Sequence, residues 1–340
     1  MSEANGHPPR AEPASGDAAA ARNVLEVDSL SVHIGTYRGT VEAVGGVSFR
    51  VAPRECVGIV GESGSGKSMT ALSVMRFTPP GARFVAGSIA FDGVDLLTLS
   101  QEQMRGIRGR RIAMVFQDPM TFLNPLMRIG DQIGEYLVRR EHVGRREARE
   151  RAIDALKLVR MASPDDVANY YPHQMSGGMR QRALIAMALV GAPALLIADE
   201  PTTALDVTVQ AQIINLFKEI QEERGLSLLL ITHDLGIVAH LCDRLYVMYA
   251  GKIMEEADVF SLFANSKHPY TTGLIRSVSY DDTVGGDISY IDGSVPSLIN
   301  PPVGCRFRER CPHAMPICGE KEPPRTEFSP TQAAYCWLYH

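Results

Sequence analysis

Two stretches of this 340-residue chain carry residue types suited to phosphate chemistry. Gly61-Glu62-Ser63-Gly64-Ser65-Gly66-Lys67-Ser68 fits the pattern G-x4-G-K-S/T and lies between an apolar strand-like run and a helix-like one. Its glycines let backbone N–H groups turn inward around phosphates, and the start of the following helix adds a favourable dipole. Lys67 is placed to reach the β and γ phosphates of a nucleoside triphosphate, and the Ser68 hydroxyl to ligate Mg²⁺. Further along, the apolar run Ala194 to Ala198 ends in Asp199 and Glu200. Asp199 stands where a carboxylate holds Mg²⁺, often through water, and strand alternation turns Glu200 differently. Between the two stretches, Ser176-Gly177-Gly178 opens a helix with two glycines and a hydroxyl, which leaves N–H groups open to an anion.

A separate constellation closes the chain. Cys305, Cys311, Cys318 and Cys336 crowd its last tenth, whereas Cys56 and Cys242 sit alone in apolar, core-like surroundings. In reducing cytosol, four thiols in a loop-rich tail favour metal ligation over disulfides. They suit either a 4Fe–4S cluster or a closed tetrahedral Zn²⁺, with free thiols as the third reading. The paired C-x2-C spacing of zinc ribbons is absent, and Pro301, Pro302, Pro312 and Pro316 keep the segment from regular helix.

The elements that must position these groups alternate along the chain. Strands are expected over Leu25 to Val27 and Val41 to Val47, a buried one from Glu55 to Val60, and a helix from about Lys67 to Met75. Pro79-Pro80-Gly81 breaks that helix, and Gly87 to Leu96 reads as an edge hairpin. Residues 118–192 read as mainly helical. A strand to Asp199, a helix from about Val207 to Glu223 and a strand from Ser227 to Thr232 follow. Strands alternating with helices predict an α/β core with a parallel sheet. From His268 onward only a short helix near Tyr270 to Val278 stands out, and the Pro-, Gly- and Cys-rich tail is expected to bury little.

Composition limits what the chain does. Hydrophobic residues at 45% and charged ones at 21% describe a globular protein, and a formal net charge of −5 gives no basic field for nucleic acid. The runs Arg108 to Arg111, Arg139-Arg140 and Arg145-Arg146 are interleaved with Glu141, Glu147 and Glu150, the pattern of a solvated helix face. No apolar run approaches the roughly 18 to 20 residues that span a bilayer. Residues 1–22 have neither the h-region of a signal peptide nor a transit pattern and read as a disordered tail, which places the chain in the cytoplasm.

The order of these motifs resembles that of the ATP-binding-cassette (ABC) ATPases. Phe116 to Pro125, Tyr171-Pro172-His173-Gln174, Ala198 to Gln210, His268-Pro269-Tyr270 and the four-cysteine tail look like the ATP-binding subunits of bacterial oligopeptide and dipeptide permeases. The resemblance implies an ABC-type P-loop domain with an antiparallel β subdomain and a helical subdomain. Boundaries follow: a tail over 1–22, an ATPase domain over 23–265 with its helical subdomain at about 118–192, and an extension over 266–340. It implies that Glu200 polarises the attacking water, that His233 contacts the γ-phosphate, and that Gln117 senses Mg²⁺ and phosphate. Ser176, Gly177 and Gly178 then bind ATP held by a second cassette, Asp206 crosses to that partner, and Tyr37 stacks on adenine unless it is merely a surface residue of a hairpin loop. Met179 stands where many cassettes carry Gln.

Implied partners are a second related ATPase subunit, identical or not, two integral membrane permease subunits and an extracytoplasmic peptide-binding protein, with no nucleic acid. The chain would sit peripherally on the cytoplasmic face of the inner membrane. The segment around Met120 to Met127 is the candidate docking site, or else a plain interdomain turn. Some relatives of this type are iron–sulfur proteins, which puts the cluster ahead of zinc. The rival expectation is a soluble cassette ATPase acting in DNA repair or translation.

Overall fold

The computed structural model describes residues 23–203, 205–278 and 291–340. The expected tail over residues 1–22 lies outside the described residues, as does Ala204 of the run Ala198 to Gln210. The described strands are, in chain order, β1 Leu25–Thr36, β2 Gly39–Val51, β3 Cys56–Val60, β4 Ala82–Phe91, β5 Val94–Asp95, β6 Ile112–Val115, β7 Leu195–Asp199, β8 Ser227–Thr232, β9 Arg244–Tyr249, β10 Lys252–Asp258, β11 Arg325–Ser329 and β12 Gln332–Tyr335.

β3, β7 and β8 are buried along their whole length, as continuous apolar strands must be when both faces of a sheet are covered. They pair in parallel within an eight-stranded sheet of order β11-β12-β10-β9-β3-β8-β7-β6. Alternation along the strands divides the core in two. Val57, Ile59, Leu195, Ile197, Leu229 and Ile231 pack toward the antiparallel sheet β2-β1-β4-β5. Cys56, Val60, Leu196, Ala198, Leu228 and Leu230 face the helices instead.

The segment read as an edge hairpin begins earlier than expected. β4 starts at Ala82 and pairs along β1, inside the antiparallel sheet, and only β5 forms the edge. Asp92 and Gly93, at φ 47° and 78°, make the tight turn between β4 and β5, where the Asp-Gly pair suits a primed hairpin turn.

The helical region holds helices Ile129–Arg140, Arg145–Leu158 and Gly177–Leu189. Helix Arg145–Leu158 turns Ala148, Ala152, Ala155 and Leu156 inward and leaves its charges outside. Arg146 pairs with Glu150 at 3.1 Å and Arg139 with Glu135 at 2.7 Å, so these arginines lie on a solvated, ion-paired face. Arg108 differs: its guanidinium donates to the carbonyls of Met75 and Arg76 and lies over the Phe77 ring.

The C-terminal segment buries more than its composition suggests. β12 adds antiparallel to β10, matching Ala334 to Glu255, and β11 follows it. Tyr270, Phe307, Ala333 and Ala334 are buried. The exposed backbone edge of β10 is the physical cause, since an unpaired strand edge templates another strand.

Candidate active site

The loop from Gly61 to Gly66 joins β3 to helix Lys67–Val74. Gly61 and Gly66 take φ of 153° and 103°, and a Cβ there would stand 2.0 Å from the Met248 carbonyl oxygen and 2.5 Å from that of Ala43. Glycine is therefore required at both positions. Gly66 caps the helix without any side-chain bond, so the first N–H groups of the helix have no side-chain partner. The Lys67 ammonium is buried and donates to the carbonyls of Gly61 at 2.7 Å and Glu62 at 2.9 Å. Burial lowers its pKa against the opposing pull of Glu200, Asp199 and Glu62. The Ser65 hydroxyl is buried with no hydrogen-bond partner. An uncapped helix start, an unpartnered hydroxyl and a buried ammonium together fit a polyphosphate.

Asp199 ends β7 beside this loop, and its Oδ1 accepts a 3.0 Å hydrogen bond from Ser68. Burial raises the Asp199 pKa, opposed by the Ser68 bond. A hydroxyl and a carboxylate drawn together in a shielded corner fit a Mg²⁺ ion. Glu200 is turned away by a backbone reversal and not by strand alternation. The strand stops at Asp199 and Glu200 adopts φ 45°, a left-handed conformation uncommon for a residue with a side chain. Its N–H donates to the Ile231 carbonyl at 2.8 Å, which anchors the turn.

Three side chains from three segments then meet the Glu200 carboxylate. Gln117 Nε2 donates to Oε2 at 3.1 Å, the Thr203 hydroxyl donates to the same oxygen at 2.9 Å, and His233 Nδ1 lies 3.3 Å from Oε1. His233 follows β8, which pairs with β7, so sheet register alone brings the two strand ends together.

The remaining expected residues stand apart from this cluster. Ser176 caps helix Gly177–Leu189, accepting from the Met179 N–H at 3.3 Å. A Cβ on Gly178 would lie 2.7 Å from Val209 Cγ1, so glycine there permits close packing on helix Val207–Arg224. Asp206 caps that helix through the Val209 N–H at 3.0 Å. Among the described residues, no hydrogen bond joins Ser176, Gly177, Gly178 or Asp206 to Gly61 through Ser68. Tyr37 sits on the hairpin between β1 and β2, 90% exposed, with the Arg38 guanidinium 5.2 Å from its ring centre.

Sequence reasoning missed Thr203, Glu62, Tyr270 and Arg310. Thr203 had a local signal, because Glu200-Pro201-Thr202-Thr203 reads as a turn with Pro at its second position, and Thr203 N–H does bond Glu200 O at 3.2 Å. The other three meet through the C-terminal segment. Tyr270 receives the Glu62 N–H at 3.0 Å, and Arg310 grips the Glu62 carboxylate. Nothing near Glu62 in sequence announces either contact.

The tail cysteines are all free of disulfides, with Cys305, Cys318 and Cys336 buried. Cys305 lies within electrostatic range of the other three thiols. Burial pushes the Cys305 thiol up to about 11. Among the described residues, no group of three or more His, Cys, Asp or Glu side chains is drawn up closely enough to hold a metal ion. The expected metal centre thus has no assembled ligand set.

A family model described as ABC transporter matches residues 44–203, and one described as oligopeptide/dipeptide transporter, C-terminal region, matches residues 254–318. The chain is 51% identical to the dipeptide transport ATP-binding protein DppD of Bacillus subtilis, over 93% of this chain and 94% of that one. It is 46% identical to the oligopeptide transport ATP-binding protein OppD of Salmonella typhimurium, over 92% and 93% respectively. The dimeric structure of MJ0796, a bacterial ABC transporter cassette, superposes with a TM-score of 0.62 at 28% identity, covering 69% of this chain and 98% of that chain. Fold and site together define an ABC-type ATPase cassette. The chain belongs to the family of ATP-binding proteins of peptide ABC transporters. A soluble cassette of DNA repair or translation is not favoured, because residues 254–318 match the peptide-transporter C-terminal region.

Proposed function

We propose that the chain hydrolyses ATP at a site completed by a second cassette and thereby energises the import of oligopeptides or dipeptides through membrane permease subunits. The observation that carries it is the meeting of Lys67, Ser68, Asp199 and Glu200 beyond the carboxyl ends of β3 and β7, strands inside the eight-stranded sheet, while among the described residues Ser176 to Gly178 share no hydrogen bond with the phosphate loop. The similar MJ0796 cassette is dimeric in its structure, which supports a two-chain site.

In the site, the loop amides of Gly61 to Gly66 with Ser63 and Ser65 cradle the phosphates, and Lys67 moves from the loop carbonyls to them. Ser68, Asp199 and Gln117 are the residues that would hold Mg²⁺, which when bound neutralises charge on the phosphate oxygens. Glu200 orients water in line with the γ-phosphate and takes up its proton as the new P–O bond forms and the bond to the β-phosphate oxygen breaks, giving ADP and phosphate. Gln117, Thr203 and His233 hold the Glu200 carboxylate, and His233 also reaches the γ-phosphate. Tyr37 offers an open ring face for adenine. Ser176, Gly177, Gly178 and Asp206 complete the site of the partner ATPase.

The permease subunits dock beside Gln117, where Met120, Phe122 and Leu126 are exposed. A cleft of about 530 Å³ lined by Phe77, Phe116, Phe122, Tyr136, Leu184 and Met187 lies alongside. Among the described residues no helix is long and apolar enough to cross a membrane. The proposed placement is peripheral, on permeases at the cytoplasmic face. A binding protein outside the membrane delivers the peptide. The proposed domain limits are 23–265 and 266–340, and the four tail cysteines are the proposed ligands of a structural centre, a 4Fe–4S cluster ahead of zinc, for which no ligand set is assembled among the described residues. The test is reconstitution with permease subunits in proteoliposomes: ATP-dependent peptide uptake is expected. Co-purification with ribosomes or DNA and no uptake would overturn it.

A further inference from the structure

The C-terminal segment reaches the phosphate loop at one residue. Arg310 is almost fully buried and meets the Glu62 carboxylate with both terminal nitrogens, Nη1 to Oε2 at 2.6 Å and Nη2 to Oε1 at 2.9 Å. Its other donors are also used: Nε bonds the Asp292 carbonyl at 2.8 Å, Nη2 that of Ile291 at 2.9 Å, and Nη1 the Tyr249 hydroxyl at 3.3 Å. All five N–H groups of a guanidinium are thereby engaged. Tyr270, also from the C-terminal segment, receives the Glu62 backbone N–H. Behind them Tyr249, Tyr270 and Phe307 pack ring on ring, with centroids 4.6 to 5.3 Å apart.

Glu62 is out of place electrostatically. It puts a carboxylate in a loop built to receive a polyanion, close enough to Lys67 to compete for its ammonium. Unpaired, that charge would repel a triphosphate and draw Lys67 toward itself.

We propose that Arg310 is a positioning residue for ATP: it neutralises Glu62 and holds the Glu62 side chain out of the phosphate path, making the C-terminal segment part of the nucleotide site. The consequence is reciprocal, since a nucleotide that needs the latch closed also stabilises the docked C-terminal segment. The inference rests on the loop binding MgATP, which the unmodified chain tests in the same assay.

The experiment measures MgATP affinity and the ATPase KM and kcat of the full chain, as wild type, Arg310→Ala, Glu62→Gln and the double variant. Arg310→Ala should weaken MgATP binding and raise KM about tenfold, with kcat at saturating ATP within about twofold. Adding Glu62→Gln should restore affinity to within about threefold of wild type, because the uncompensated carboxylate is gone. Arg310→Lys should fall between, keeping the charge and losing the fork. Arg310→Ala and the double variant both lose its bonds to Asp292 and Ile291, so a defect from a loosened tail would persist in the double variant. Unchanged affinity in Arg310→Ala, or a double variant as weak as the single one, would overturn the proposal. Failure of the unmodified chain to bind MgATP would overturn the nucleotide reading beneath it.

Discussion

Gln117 and Glu200 share a 3.1 Å hydrogen bond across 83 residues of sequence, Nε2 donating to Oε2. Gln117 lies between β6, the edge strand of the parallel sheet, and the short helix Pro119–Phe122 that opens the helical region. The bond therefore ties the orientation of a strand-end carboxylate to the segment that leads into the helices and the exposed Met120 and Leu126. Under the proposed docking beside Gln117, displacement of that segment would alter what Glu200 is bonded to. A coupling device of this kind needs no contact between partner and nucleotide.

Glu200→Gln is expected to retain MgATP binding and lose turnover by about 10² to 10⁴-fold, the usual worth of a positioned general base. The amide keeps the shape and the Thr203 bond but cannot take up a proton. ATPase assay with parallel nucleotide binding is the check. Residual turnover above a tenth of wild type would remove Glu200 from that role.

Asp199→Asn should separate stability from activity. Burial raises the Asp199 pKa, so the folded state binds its proton more tightly than the unfolded chain does. Stability contributed by that proton is present below the ordinary carboxylate pKa and falls as pH rises through the raised one. Above that raised pKa the folded protein carries a buried charge at some expense in stability. The neutral amide should raise the Tm of the nucleotide-free chain while lowering Mg²⁺-dependent ATPase at least tenfold. A lower Tm in thermal unfolding would contradict this account.

His268 predicts the acid limb of stability. Full burial lowers its pKa to about 3, and its Nδ1 accepts the Tyr270 N–H at 3.0 Å. The unfolded chain then binds the extra proton between about pH 6.5 and 3, so stability is lost as pH falls through that window, by up to about 1.4 kcal/mol per unit. Glu255, whose pKa burial raises, acts in the opposite sense: its contribution falls as pH rises. His268→Gln should flatten the dependence of Tm on pH between 6.5 and 4.5, and an unchanged slope would rule His268 out.

Leu126→Asp should leave the isolated ATPase unchanged and abolish coupled peptide uptake. Leu126 is 85% exposed, so the substitution moves stability by no more than about 0.5 kcal/mol. A buried, charged Asp at an apolar docking face is another matter. Full uptake by the reconstituted variant would move the docking site elsewhere.

If the tail cysteines hold the proposed cluster, chain purified anaerobically contains about four iron and four sulfide per molecule, both lost in Cys311→Ser. One zinc without sulfide would make the tail a zinc clip instead, and neither metal would return the four cysteines to free thiols. ATP hydrolysis by wild type should be indifferent to the outcome, because its chemistry needs no redox centre.

What could be read along the chain was whatever consecutive residues do together. Gly61 through Ser68 act through adjacent backbone amides, and their glycines are demanded by local φ and by close backbone approach, so the loop is visible in eight letters. Asp199 and Glu200 were visible for a similar reason, as charges at the end of a run too apolar to be anything but a buried strand. Tertiary structure decided the rest. Sheet register set His233 beside Glu200, and a left-handed turn, not strand alternation, aimed that carboxylate. The free edge of β10 made the tail a part of the sheet. Arg310 meets Glu62 across 248 residues, and no periodicity encodes such a pair. A salt bridge depends on where two side chains end in space, and chain order constrains that only after the strands between them have found their register.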